Sequence, residues 1–316
     1  MTETWKSITN WVPVVGIWDV SHGNAKYTEP QVEVKPYLSN MFPYGLCVSD
    51  ATFAEGSVKV TVEPQPFPSG DDSEEISGRI VLGYKSPDRA YVVVGLGGYR
   101  FGFTISVFVP DKGWTGLALA GSEKILHPGT AYRLMVSVEG QRVKLYVNEA
   151  QLIEHVMSTP LPQGQIGLFA WGKRPVNFSD AQLLTKAPEV FVVMQFSDTY
   201  RDLYSDVIKP VTESFGLSAY HVGEVYGPGF ILADIQRGIS EASIVIADVT
   251  PQNQNVFYEL GYAHALHKPT ILLAERGKQL PFDVAGYRCL FYDNTIGGKK
   301  ELEDNLKKNL TAILKP

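Results

Sequence analysis

The stretch SIVIADVTPQNQNVFYELGYAHALHKPTILLAE, residues 243–275, decides the fold of the chain that contains it. It opens on an apolar run, SIVIADV (243–249), that reads as a strand buried on both faces. A helix-period segment follows over 254–267, with Phe257, Leu260, Ala263 and Leu266 supplying the buried stripe. A second apolar run, PTILLAE (269–275), comes directly after it. Strand, helix and strand at this spacing make a βαβ unit, whose strands lie parallel.

Working outward, the alternation continues in both directions. Upstream lie VFVVMQF (190–196), a helical stretch from Asp198 to Phe215, a strand near 217–222 and a helix near 229–241. Downstream lie CLFYD (289–293) and an amphipathic helix from Gly298 to Leu314. Four or five buried strands with helices between them predict a doubly wound parallel sheet covered on both faces. The pattern breaks near Lys186-Ala187-Pro188, which sets expected domains at 1–186 and 187–316. At 316 residues the chain is long enough for two cores of roughly 130–190 residues each.

Before the break, short alternating apolar segments are separated by Gly, Pro, Asp and Asn, the pattern of an antiparallel jelly-roll sandwich. Strands are expected at 57–64, 78–84, 90–98, 101–109, 131–140, 141–149, 164–171 and 176–184. In YRLMVSVEGQRVKLYVNEAQL, the Glu139-Gly140-Gln141 tip joins two strands whose Leu134, Val136, Val138, Val143, Leu145 and Val147 share one side. The acidic stretch PSGDDSEE (68–75) is expected to be a mobile surface loop.

Composition narrows the function. A 44% hydrophobic content with a formal net charge of -6 suits a folded protein and argues against a basic nucleic-acid groove. The two cysteines, Cys47 and Cys289, fall in different expected domains, so neither a disulfide framework nor metal-ligand spacing is present. The first residues lack the layout of a signal peptide, and no stretch approaches about eighteen uninterrupted apolar residues. A cytoplasmic protein without membrane spans is the expectation.

In an open parallel sheet the ligand crevice lies outside the carboxyl ends of the strands. Three clusters fall there: Gln195-Phe196-Ser197-Asp198 after the first strand, 223–229 including Tyr226 after the second, and 248–255 from Asp248 to Asn255 after the third. Glu259 follows, about one turn into the next helix. A carboxylate facing an anomeric carbon can stabilise or trap the oxocarbenium-like transition state of glycosidic cleavage. The nicotinamide of NAD is already a cationic leaving group, so one glutamate suffices without a general acid. The alternatives are plain: Glu259 as a dipole-complementing surface residue, and Asp248 as a turn or capping residue. The dipole would keep Glu259 ionised while burial would raise its pKa. GxGxxG and the Walker A lysine are absent.

The block ISEASIVIADVTPQNQNVFYELGYAHALHKPTILLAE (239–275) resembles the core of bacterial TIR-like and nucleoside 2-deoxyribosyltransferase-like domains, over about 190–316. The resemblance implies that Glu259 is catalytic, that Asp248 and Asn255 lie beside the ribose or base, and that Phe196 and Ser197 line the same pocket. It further implies cleavage of the nicotinamide–ribose bond, with NAD as substrate and no cofactor or metal, in an anti-phage or signalling effector that acts as a homo-oligomer. The amino-terminal region resembles a concanavalin-A-like jelly roll of laminin-G or glucanase type, in GIWDV, GRIVLGY, GQIGLFAWG and VNFSD. No close acidic pair of the glucanase kind stands on an expected strand, which leaves sensing of a glycan or protein ligand, or self-association, for this region. Trp18, Trp114 and Trp171 are candidates for stacking on a sugar or for the core, and His264 and His267 for surface or packing roles.

Three functional readings follow. The first is an NAD-consuming hydrolase governed by the jelly roll; the second is a nucleoside or nucleotide N-glycosidase or deoxyribosyltransferase using the same glutamate. The third is a catalytically silent module that senses a nucleotide or scaffolds partners.

Overall fold

The structure is a computed structural model that describes residues 4–29, 44–67, 75–195, 197–224, 231–250, 252–280, 284 and 286–314. Phe196, Tyr226 and residues 68–74 of the acidic stretch lie outside the described residues, as do glycines 227 and 229. Contacts divide the chain into two compact units, one of Met1–Val138, Arg142–Met157 and Gln163–Lys186, the other of Glu139–Gln141, Ser158–Pro162 and Ala187–Pro316.

The first unit is built from two antiparallel sheets of jelly-roll type. One runs in the order Ala150–Val156, Arg142–Val147, Tyr132–Glu139, Glu55–Pro64, Val176–Lys186, Asn24–Glu29 and Ile17–Ser21, with Lys6–Ser7 paired onto Val176–Lys186. The other runs Gly113–Ser122, Phe101–Val109, Tyr91–Leu96, Gly78–Tyr84, Gly164–Trp171, Tyr44–Phe53 and Trp11–Val15. The hairpin turns at Gly140, whose φ of 58° is in the left-handed region that glycine adopts at least cost. Its six apolar residues from Leu134 to Val147 are all buried.

Gly78–Tyr84, buried at every position, is a strand where the sequence predicts one, whereas several others, Tyr44–Phe53 and Gly113–Ser122 among them, escape the sequence reading. Tyr44–Phe53 breaks its apolar run with Ser49, which is buried because its hydroxyl donates to the Ile166 carbonyl at 3.0 Å. Gly113–Ser122 carries a register shift between Gly116 and Ala118. The tryptophans belong to aromatic packing. Trp114 lies 5.2 Å from Phe108, 5.0 Å from Phe169 and 5.8 Å from Tyr91 between ring centres. Trp18 packs on Tyr27 and donates its indole N–H to the Val15 carbonyl.

The second unit carries a five-stranded parallel sheet. Its strands in chain order are β1 (Glu189–Val193), β2 (Ser218–Tyr220), β3 (Ile244–Asp248), β4 (Thr270–Glu275) and β5 (Cys289–Tyr292), arranged 2-1-3-4-5. Its helices are α1 (Asp198–Leu203), α2 (Lys209–Glu213), α3 (Ile231–Glu241), α4 (Gln254–Ala265) and α5 (Ile296–Leu314). Val190, Val192, Ile244 and Ile246 pack with Val207 and Val211 of the first helical stretch and with Leu302, Leu306 and Leu310 of α5. Their neighbours Phe191, Val193, Val245 and Ala247 pack with Ile235 and Ile239 of α3 and Val256, Leu260 and Ala263 of α4. Both faces are covered, which is why these strands read as unbroken apolar runs. Gly238 lets α3 come down on the sheet, since a Cβ there would lie 2.5 Å from the Phe191 ring.

The helical stretch expected from Asp198 to Phe215 is not uniform. Between α1 and α2, Tyr204–Ile208 widens into a π turn just before Pro210. Proline has no N–H and its ring crowds the carbonyl four residues back, so the hydrogen-bond register slips there.

At the far end of α3, the buried Lys268 donates from Nζ to the carbonyls of Ser240 (2.7 Å) and Ala242 (2.9 Å). An ammonium at carbonyls left open by the end of a helix satisfies them and complements the helix dipole. Lys268→Met is expected to lower stability by about 2–4 kcal/mol, read as a fall in the urea midpoint; an unchanged midpoint contradicts this role.

Candidate functional site

In a 2-1-3-4-5 sheet the chain leaves β1 toward one face and β3 toward the other, opening a crevice between their carboxyl ends. The residues at those two ends meet here. Asn253 caps α4: its backbone is extended and its Oδ1 accepts from the Asn255 N–H at 2.9 Å. The same amide donates from Nδ2 to Gln195 Oε1 at 3.2 Å, tying the end of β1 to the start of α4. Ser197 stands at the cap of α1, half-buried, with no capping bond from its hydroxyl. The capping asparagine is therefore Asn253, while Asn255 sits exposed in the first turn. The α1 helix begins at Asp198.

Glu259 is half-buried on the flank of α4, beside the inward stripe of Val256, Leu260 and Ala263. Burial raises its carboxyl to about 7. Between the two opposing influences on this group, removal from water is the one that dominates.

Asp248 is placed differently. It follows Ile244 and Ile246 in the alternation of β3, so it leaves the strand toward the face covered by α1 and α5, whereas Glu259 rides on α4 across the sheet. Its Oδ1 accepts from the Thr250 N–H at 3.0 Å and its Oδ2 from the Tyr292 hydroxyl at 2.9 Å. Burial lifts its carboxyl to about 7; these two hydrogen bonds pull it back down, and Glu275 adds a smaller upward push. Burial, Asp248 and Glu275 also raise the phenol of Tyr200, and burial with Asp248 raises the Cys289 thiol to about 11. Thr250 in turn accepts the Glu275 N–H at 2.9 Å. Asp248 is thus the hub of a buried network across the ends of β3, β4 and β5.

Of the residues singled out from sequence, Ser197 stands at the cap of α1 after β1, Asn255 and Glu259 stand on α4 after β3, and Asp248 leaves β3 toward the sheet face opposite α4. Gln195 and Asn253 lie within the clusters that the crevice rule marks in the sequence, but the sequence reading gives neither of them a role. The signal was available in the adjacency of strands one and three, but it required the strand order. His264 stacks on Tyr287 at 4.4 Å, a packing arrangement at the other end of α4. Among the described residues no group of three or more His, Cys, Asp or Glu is arranged to hold a metal ion, and no helix is long and apolar enough to cross a membrane.

No protein-family profile matches the sequence, and no curated protein matches it. Among solved structures, a carbohydrate-binding module from Bacillus subtilis aligns with a TM-score of 0.44 at 15% identity, over 55% of this chain and 94% of that one. The β-glucanase of Bacillus licheniformis aligns with a TM-score of 0.39 at 13% identity, over 58% of this chain and 98% of that one. A CMP N-glycosidase from Clostridium botulinum aligns with a TM-score of 0.32 at 19% identity, over 38% of this chain and 98% of that one. Scores this low carry no functional weight.

Proposed function

We propose that the carboxyl-terminal unit cleaves the N-glycosidic bond of a nucleoside or nucleotide, with Glu259 at the anomeric carbon. The supporting observation is that this carboxyl is half-buried on α4, the helix that follows β3, in a sheet whose strand order has its switch point between β1 and β3, where doubly wound folds take their ligands. The finer reading is an NAD glycohydrolase. In it the bond from the ribose carbon to the pyridinium nitrogen breaks, its electron pair neutralises the departing nicotinamide, and water supplies the new oxygen and releases a proton. The ionised Glu259 stabilises the cationic sugar or bonds to it transiently. The jelly-roll unit then serves as sensor or assembly domain, and association of several copies completes the enzyme.

The deciding experiment is nicotinamide release from NAD by the purified full chain, with 2′-deoxynucleosides as parallel substrates to separate hydrolase from transferase. Only the ionised Glu259 can do this work, and burial holds its pKa at about 7. kcat/KM is therefore expected to rise as pH increases through about 7 and to level off above it. A profile that falls over that interval contradicts the assigned role.

A second reading, a nucleotide-binding module without turnover, draws support from Asp248. With both its oxygens taken by Thr250 and Tyr292, Asp248 offers Glu259 no partner carboxylate. Nucleotide binding that survives Glu259→Ala, with no turnover in the parent, identifies it.

A further inference from the structure

The hydrogen bond between the end of β1 and the cap of α4 has a direction that chemistry forces. The Asn255 N–H can only donate, so Asn253 must present its oxygen to it, as it does at 2.9 Å. The nitrogen of that amide therefore faces Gln195, 3.2 Å away, and a donor there demands the Gln195 oxygen. The Gln195 Nε2, with both its N–H bonds, is left pointing elsewhere, and among the described residues it meets no protein acceptor. Gln195 is half-buried, at the mouth of the β1/β3 crevice.

We infer that Gln195 is a specificity-determining residue, donating from its side-chain amide to a neutral oxygen acceptor of the bound nucleoside, either a ribose hydroxyl or a carbonyl of the base. The inference rests on the reading of this crevice as a nucleoside site. A neutral acceptor fits the surroundings: the described residues directly after the first three strands, 195, 197, 221–224, 249, 250, 252 and 253, contain no lysine or arginine. Asn253 makes the donor rigid. Because one amide both caps α4 and fixes the Gln195 orientation, the donor enters the ligand complex already aimed, with little rotamer entropy left to lose.

The test uses the full chain with nicotinamide riboside, its 2′-deoxy analogue and the pyridinium riboside that lacks the carboxamide. Gln195→Leu removes both the donor and the tie to Asn253, while Gln195→Glu keeps an oxygen for Asn253 and removes only the donor. Both variants are expected to raise KM for the intact riboside about fivefold to tenfold, the worth of one neutral hydrogen bond, with kcat changed far less. The analogue lacking the true acceptor is expected to show no further loss in either variant, which identifies the acceptor as sugar or base. Unchanged KM in both variants, or an equal fall in kcat for all three substrates, overturns the inference while leaving the cleavage reading intact. If the parent binds these nucleosides without cleaving them, the cleavage reading fails, and the same weakening measured in Kd upholds the role of Gln195. If the parent neither binds nor cleaves any of them, both fall.

Discussion

Glu259→Gln is expected to lower turnover on the order of a thousandfold or more while leaving the protein at least as stable as the parent. A thousandfold corresponds to about 4 kcal/mol of lost transition-state stabilisation. Glutamine preserves the volume and most of the hydrogen-bonding capacity of the side chain, so the loss isolates the charge. The stability half of the expectation has a definite sign. Burial raises the Glu259 carboxyl from its ordinary value to about 7, so the folded state holds a proton more tightly than the unfolded chain does. Above that pH the ionised group weighs against folding, and its neutral replacement relieves that cost. A merely structural glutamate would show the opposite, reduced stability with activity falling in proportion to the folded fraction. Thermal unfolding at pH 8 alongside kcat separates the two.

The second large effect concerns Asp248. Its carboxyl is almost wholly buried and lifted to about 7, against an ordinary value near 3.8. The folded state therefore binds the proton more readily, and between about pH 4 and pH 7 stability is expected to decline as pH rises, by a few kcal/mol in total. Asp248→Asn is expected to flatten that decline and to raise stability at pH 8. The replacement keeps an oxygen for the Thr250 N–H, and its amide can donate to the Tyr292 hydroxyl, which then acts as acceptor. Asp248→Leu strands both partners and is expected to destabilise at every pH. Urea midpoints across pH 4–8 read all three proteins. A parent whose stability rises over this interval contradicts the assignment.

Much of this architecture is legible in the residues, for reasons that differ by region. The βαβ core reads almost to the residue, SIVIADV against Ile244–Asp248 and PTILLAE against Thr270–Glu275, because strands buried on both faces are apolar at every step and end where polar residues begin. The jelly-roll hairpin reads as well, because one face alternates and the turn needs a glycine. Tyr44–Phe53 does not, since a buried serine satisfied by a distant carbonyl looks like a loop residue until that carbonyl is placed.

The site divides along the same line. The choice of Glu259 as candidate rests on a helix periodicity and a crevice rule, both local. The direction of Asp248 depends on which sheet face each helix covers, and the tie between Gln195 and Asn253 on a hydrogen bond spanning 58 residues. Neither is written in spacing. The π turn at Tyr204–Ile208 shows a third case, where a visible proline at 210 signals disruption without saying which register replaces the regular one.

The most direct test of the role given to Glu259 is quantitation of free base and sugar product after the full chain is incubated with NAD, a nucleoside monophosphate and a 2′-deoxynucleoside, beside Glu259→Gln under the same conditions. The proposed role predicts equimolar release of base and sugar from at least one of the three by the parent and none above background by the variant. Three intact substrates, or equal release by the two proteins, would contradict it.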